Sequence, residues 1–112
     1  MSTDYIPSRG DIVRLDTGTE NPLQQDRLKR NMLVVSPKAY NEKTGFALFC
    51  PVKNKSKGYP FEVTIPEDSK AKGFILSDQV KSLNWKNRNT EFICRLQEEK
   101  LNDVIAKLRT LT

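Results

Sequence analysis

Phe46-Ala-Leu-Phe-Cys-Pro-Val52, Lys53-Asn-Lys-Ser-Lys-Gly-Tyr-Pro60 and Phe61-Glu-Val-Thr-Ile65 follow one another without a break. The first is an apolar run, the second a basic turn rich in lysine, and the third alternates apolar and polar side chains. That order reads as a buried strand, a charged connection and a half-buried strand whose inner face carries Phe61, Val63 and Ile65. A sheet that presents positive charge from a turn between rigid strands is suited to a polyanion.

The basic character is local. Between Arg27 and Lys57 lie eight basic residues and one acid, Glu42; the rest of the chain carries eleven basic and thirteen acidic residues. A contiguous cationic stretch of this kind attracts phosphate or an acidic protein segment. The 112 residues suit a single domain spanning 1–112, able to bury about two thirds of the surface it exposes when unfolded. Histidine is absent, which removes the commonest general base and metal ligand and leaves Arg, Lys, Tyr and carboxylates for any chemistry. Cys50 and Cys94 are too few for a disulfide framework or a zinc site and read as core thiols. No apolar stretch is long enough to span a membrane, and Met1-Ser-Thr-Asp-Tyr5 lacks the pattern of a signal peptide, so a soluble cytoplasmic protein is expected.

Gly10, Asn21-Pro22, Pro37, Gly45, Gly58, Pro60, Pro66 and Gly73 punctuate short runs rich in Val, Ile, Leu and Phe. This predicts a small antiparallel sheet or barrel, with strands at 11–16, 31–36, 46–52, 60–65, 73–76, 80–85 and 90–95. Met32-Leu-Val-Val35 and Phe46-Ala-Leu-Phe-Cys50 lack polar alternation and are expected to be central strands. Asn41-Glu-Lys-Thr-Gly45 between them reads as a turn, with Gly45 free to take positive φ. From Gln97 the period changes: Leu101, Val104, Ile105, Leu108 and Leu111 mark an amphipathic helix, with Glu98 and Glu99 at the positive end of its dipole and Lys107 and Arg109 at the other. The segment 17–30 has no clear period and reads as a long functional loop. Trp85 is expected to be structural, closing the barrel or a dimer contact.

Gly10-Asp-Ile-Val13, Arg30 before Leu33-Val-Val-Ser-Pro37, Tyr40-Asn41 with Lys43-Thr-Gly45, Ser56-Lys-Gly-Tyr-Pro-Phe-Glu-Val63, and Asp78-Gln-Val-Lys-Ser82 followed by Trp85 come in one order along the chain. Together they resemble the MazF/PemK toxin family from about Tyr5 to the end. The resemblance implies a mainly β (α+β) fold, an SH3-like antiparallel β-barrel with the C-terminal amphipathic helix. It also implies a homodimer, and an endoribonuclease that cuts single-stranded RNA at short sequences with no metal or other cofactor. The implied partners are single-stranded RNA and a cognate antitoxin whose acidic tail crosses the same groove.

Cleavage by attack of a 2′-hydroxyl, giving 2′,3′-cyclic phosphate and 5′-hydroxyl ends, requires a base, positive charge for a dianionic phosphorane, and an acid for the leaving oxygen. The resemblance assigns phosphate stabilisation to Arg30, whose planar guanidinium suits phosphate oxygens and is a poor base. The family threonine that stands beside it falls on Lys53, and the residue after the arginine is Asn31 where the family usually has proline. An ammonium is a donor-only cation whose pKa falls when it is buried among other cations, so Lys53 reads either as a proton-transfer group or as a phosphate tether. Lys29, Lys55, Ser56 and Lys57 are expected along the RNA groove, with Tyr59 as a stacking platform. Phe61 is expected to face the core. Asp78 and Gln79 read either as contacts to base edges or as turn caps. Gln24 and Gln25 fall where the family often carries a Glu-Gln pair.

Two other functions stand beside the nuclease. One is a homologue that binds RNA or an antitoxin without cutting, because of the change at Lys53. The other is a gyrase poison of the related CcdB type, disfavoured because the tail Arg109-Thr-Leu-Thr112 lacks the aromatic terminus of that group.

Overall fold

The computed structural model describes residues 5–17, 29–56 and 58–111. It holds seven strands among these residues, β1 (Asp11–Asp16), β2 (Lys29–Val34), β3 (Phe46–Lys53), β4 (Glu62–Thr64), β5 (Phe74–Leu76), β6 (Lys81–Asn84) and β7 (Glu91–Arg95). Two helices, α1 (Lys38–Thr44) and α2 (Glu98–Arg109), and a short 3-10 turn at Trp85–Asn87 complete it. Every pairing is antiparallel; the order is β4-β5-β3-β2-β1-β7, with β6 also on β3. The result is a mainly β fold built on one curled antiparallel sheet, with an amphipathic helix at its C-terminal end. No helix among the described residues is long and apolar enough to cross a membrane.

The central strands are apolar at consecutive positions because both faces of the sheet are covered. Ile12, Leu33, Cys50, Val63, Ile65 and Ile75 form one core with Leu101 and Val104 of α2. Val13, Leu15, Met32, Val34, Ala47 and Phe49 form a second, closed by Trp85. The Trp85 indole N–H donates to the Asn41 carbonyl at 3.0 Å, so its polar edge is satisfied inside the core. The start of β3 departs from the expected continuous burial: Phe46 and Leu48 are substantially exposed and alternate with buried Ala47 and Phe49. Phe61 also differs. Val63 and Ile65 reach the core, whereas Phe61 is only half-buried.

The turn expected at 41–45 is the end of a helix. Gly45 does take positive φ, at 76°, but as the C-cap of α1, where its N–H bonds the Asn41 carbonyl. Asn41 holds α1 in place from a fully buried position. Its amide donates to the carbonyls of Pro7 and Ser36, and its side-chain oxygen accepts from the Ser36 hydroxyl. Asp11 ties the other end of the sheet together. It accepts from the Tyr5 hydroxyl at 2.7 Å, the Ser8 amide at 3.0 Å and the Arg95 guanidinium at 2.8 Å. Burial and this carboxylate together push the Tyr5 phenol well above its ordinary range. Both cysteines are free. Burial pushes the Cys50 thiol up to about 12, which makes it an inert core group.

Candidate functional site

The site begins where a ladder ends. β2 and β3 pair at Val34–Phe49, Leu33–Cys50 and Met32–Pro51, and toward Arg30 no further. Pro51 has no amide proton to donate, and at this point β3 exchanges one neighbour, β6, for another, β5. Continued for two residues, the β2–β3 register sets Arg30 against Lys53. Like charges opposite one another on neighbouring strands are unfavourable for a sheet, and the opened ladder leaves a cleft of about 400 Å³ between them.

Four elements line that cleft. Arg14 comes from β1, Lys29, Arg30 and Asn31 from β2, Val52 and Lys53 from the end of β3 with Asn54 after it, and Lys72 from the connection between β4 and β5. Five of these carry positive charge and none is acidic. Arg14 is the exposed residue between buried Val13 and Leu15, and its Nε donates to the Asn31 side-chain oxygen at 3.3 Å, an interaction proline at that position would not make. Lys29 stands 4.0 Å from Glu91, a loose surface pair. The Lys72 ammonium donates to the Glu67 carbonyl at 2.6 Å, which folds the β4–β5 connection toward the cleft. Gly73 makes the approach feasible: its φ is 130°, and a side chain there would overlap the carbonyl oxygen of Lys53.

The expected site residues divide into four sets. Arg30, Lys53 and Lys29 meet in the cleft; Arg30 and Lys29 belong to β2 rather than to a loop, and Lys53 closes β3 rather than opening a turn. Tyr59, Asp78 and Gln79 form a separate group at the far end of β5. Phe74 pairs with Lys53, whereas Asp78 lies beyond Leu76, roughly 10 Å along the strand direction. There the Tyr59 hydroxyl donates to Asp78 Oδ1 at 2.7 Å. That bond to a carboxylate, more than burial, raises the Tyr59 pKa. One oxygen of Asp78 is thus occupied in holding Tyr59. Ser56 caps its own turn, donating to Glu62 at 2.5 Å and accepting from the Gly58 amide, and Lys55 beside it is exposed. Gln24, Gln25 and Lys57 lie outside the described residues.

Arg14 and Lys72 are cleft residues that sequence reading does not single out. Arg14 carries a signal, as the one charged position inside the apolar part of the Asp11–Asp16 run. Lys72 is one lysine of a polar connection, and only the pairing of β5 with β3 brings it to the site.

A curled antiparallel sheet with five cations lining the cleft where two central strands part defines a small β-domain with a concentrated positive face. Residues 8–112 match the family described as PemK-like, MazF-like toxin of type II toxin-antitoxin system, and the chain belongs to that family. It is 36% identical over 111 residues to the endoribonuclease toxin MazF of Escherichia coli K12, covering 99% of this chain and 98% of that protein. The fold is similar to MazF in a MazE–MazF crystal structure from Deinococcus radiodurans, with a TM-score of 0.85, 39% identity and 96% of each chain covered. An endoribonuclease from a mycobacterial species shares the fold at 20% identity, with a TM-score of 0.76 over 95% of this chain and 90% of that one.

Proposed function

We propose that this chain is the toxin of a toxin-antitoxin pair and acts as a sequence-specific endoribonuclease on single-stranded RNA, mRNA included. It cuts by internal attack of the 2′-hydroxyl, without metal or other cofactor, to give 2′,3′-cyclic phosphate and 5′-hydroxyl ends. The observation that carries the reading is the cleft lined by Arg30 and Lys53 together with Arg14, Lys29 and Lys72. Charge of that density stabilises a phosphorane far more than a ground-state phosphodiester, because the extra negative charge develops only in the transition state. Arg30 supplies the forked donor for the phosphate oxygens, and Lys53 a second cation or the proton-transfer group. The active form is a cytoplasmic homodimer. Its antitoxin inhibits by laying an acidic tail along the same cationic cleft, a role consistent with the MazE–MazF complexes formed by similar proteins.

The purified protein is expected to cleave a long single-stranded RNA in excess EDTA, with mass spectrometry finding 2′,3′-cyclic phosphate ends. Intact RNA across varied sequences would leave the non-cleaving binder as the better reading. The departure at Lys53 supplies a sharper measurement. Lys53→Thr restores the family side chain, and if the lysine has been recruited to the reaction, cleavage falls by about tenfold to a hundredfold. An unchanged rate takes the lysine out of the chemistry, and a gain shows that it hinders the reaction.

A further inference from the structure

Beside the cationic cleft lies a second cavity of about 490 Å³, a size typical of small-molecule sites. Its character is different. Ile65 and Phe74 give it an apolar wall, the latter half-buried, while Asn54, Thr64 and Glu67 add an amide, a hydroxyl and a carboxylate. Two residues, Asn54 and Lys72, line both cavities. A phosphate held at Arg30 and Lys53 is therefore next to a site with a hydrophobic surface and a few hydrogen-bonding groups. A nucleotide within a strand combines those two chemistries side by side.

We propose that the cavity between Phe74, Thr64 and Glu67 is a nucleobase pocket, which receives one unpaired base of the nucleotide adjoining the phosphate bound in the cleft. The assignment rests on the ribonuclease reading and supplies part of its specificity. A base enters such a pocket only when it is free of a partner strand, so the pocket also selects single-stranded over duplex RNA. Lys72 is the hinge of the arrangement: tethered to the Glu67 carbonyl, it directs its charge to the boundary between base and phosphate. The Glu67 carboxylate accepts hydrogen bonds and donates none, so it favours the exocyclic amino groups of adenine, cytosine or guanine over uracil, whose one ring donor, N3–H, is flanked by two carbonyl oxygens that repel a carboxylate.

The test uses a fluorescent RNA nonamer spanning a mapped cut site, with a 2′-deoxy nucleotide in place of the one that carries the attacking hydroxyl. Copies carry an abasic residue at each position in turn, and binding is followed by anisotropy. Thr64 is exposed on β4, so Thr64→Trp fills the cavity from a surface position. We expect one position within a nucleotide of the cut where base removal weakens binding about tenfold, the scale of one lost base contact. Thr64→Trp should weaken binding of the intact RNA by a similar factor and show no further loss when that base is absent. Glu67→Gln, on an exposed connection and independent of how the tryptophan variant folds, should narrow the discrimination against uracil at the same position. Wild-type binding by Thr64→Trp, or additive losses at every position, together with unchanged base preference in Glu67→Gln, overturns the pocket while leaving cleavage intact. A protein that neither binds nor cuts RNA overturns the ribonuclease reading along with it.

Discussion

Arg30→Ala is expected to lower the rate of RNA cleavage by about 10²- to 10³-fold, the usual consequence of removing one donor aimed at a developing oxyanion. The fold should survive. Arg30 is exposed at the start of β2, its neighbour across β1 is Leu15, and it belongs to neither core, so its truncation opens no cavity. Removing one of five clustered cations also relieves repulsion within the cleft, and the urea midpoint should stay level or rise slightly. Arg30→Lys keeps the charge but loses the planar fork, so it should recover only part of the rate. The salt dependence of binding offers a second readout: one lost phosphate contact lowers the slope of log affinity against log salt by about 0.7 for a single strand. An alanine variant that cuts at the wild-type rate would remove Arg30 from the chemistry and, with it, the main support for placing the reaction in this cleft.

What the sequence revealed, and what it hid, follows from where each residue gets its stabilisation. Residues 32–34 of β2 and 49–51 of β3 were legible because burial on both faces leaves a continuous apolar run, and α2 because Leu101 and Val104 repeat at helical spacing against one core. Helix α1 was not. It is seven residues long, too short to be stable by propensity alone, and its anchor is a buried Asn41 whose partners come from Pro7, Ser36 and Trp85. Polar burial of that kind leaves no hydrophobic period to read. Family motifs single out Arg30 and Lys53, and the register between β2 and β3 explains why both line one cleft. The sequence does not reveal that β5 sets Tyr59, Asp78 and Gln79 apart from them. Lys72 depends on a contact between distant segments that no local pattern encodes.

That contact yields the largest expected effect on stability. Gly73→Ala should destabilise the protein by about 3 kcal/mol, from two sources: a backbone conformation that non-glycine residues adopt at a cost of roughly 1–3 kcal/mol, and overpacking against a neighbour that cannot retreat, which adds about 1–3 kcal/mol. The neighbour is main chain, the carbonyl of Lys53, with Val52 Cγ1 3.3 Å from the new methyl. Relief requires β5 to withdraw from β3, and the bond from the Ile65 amide to the Gly73 carbonyl, 2.9 Å long, would be strained in turn. Gly58→Ala separates the two costs. Gly58 also has positive φ, at 68°, but open space around the position a side chain would take, so only the backbone cost of about 1 kcal/mol applies. The difference between the two variants in urea denaturation thus reports the close approach itself. The same approach carries Lys72 into the cleft, so Gly73→Ala, assayed at a temperature where it remains folded, should raise KM for RNA more than it lowers kcat. Equal stability of the two alanine variants would mean that β5 is not held against Lys53, and the joined cleft and pocket would lose their geometric basis.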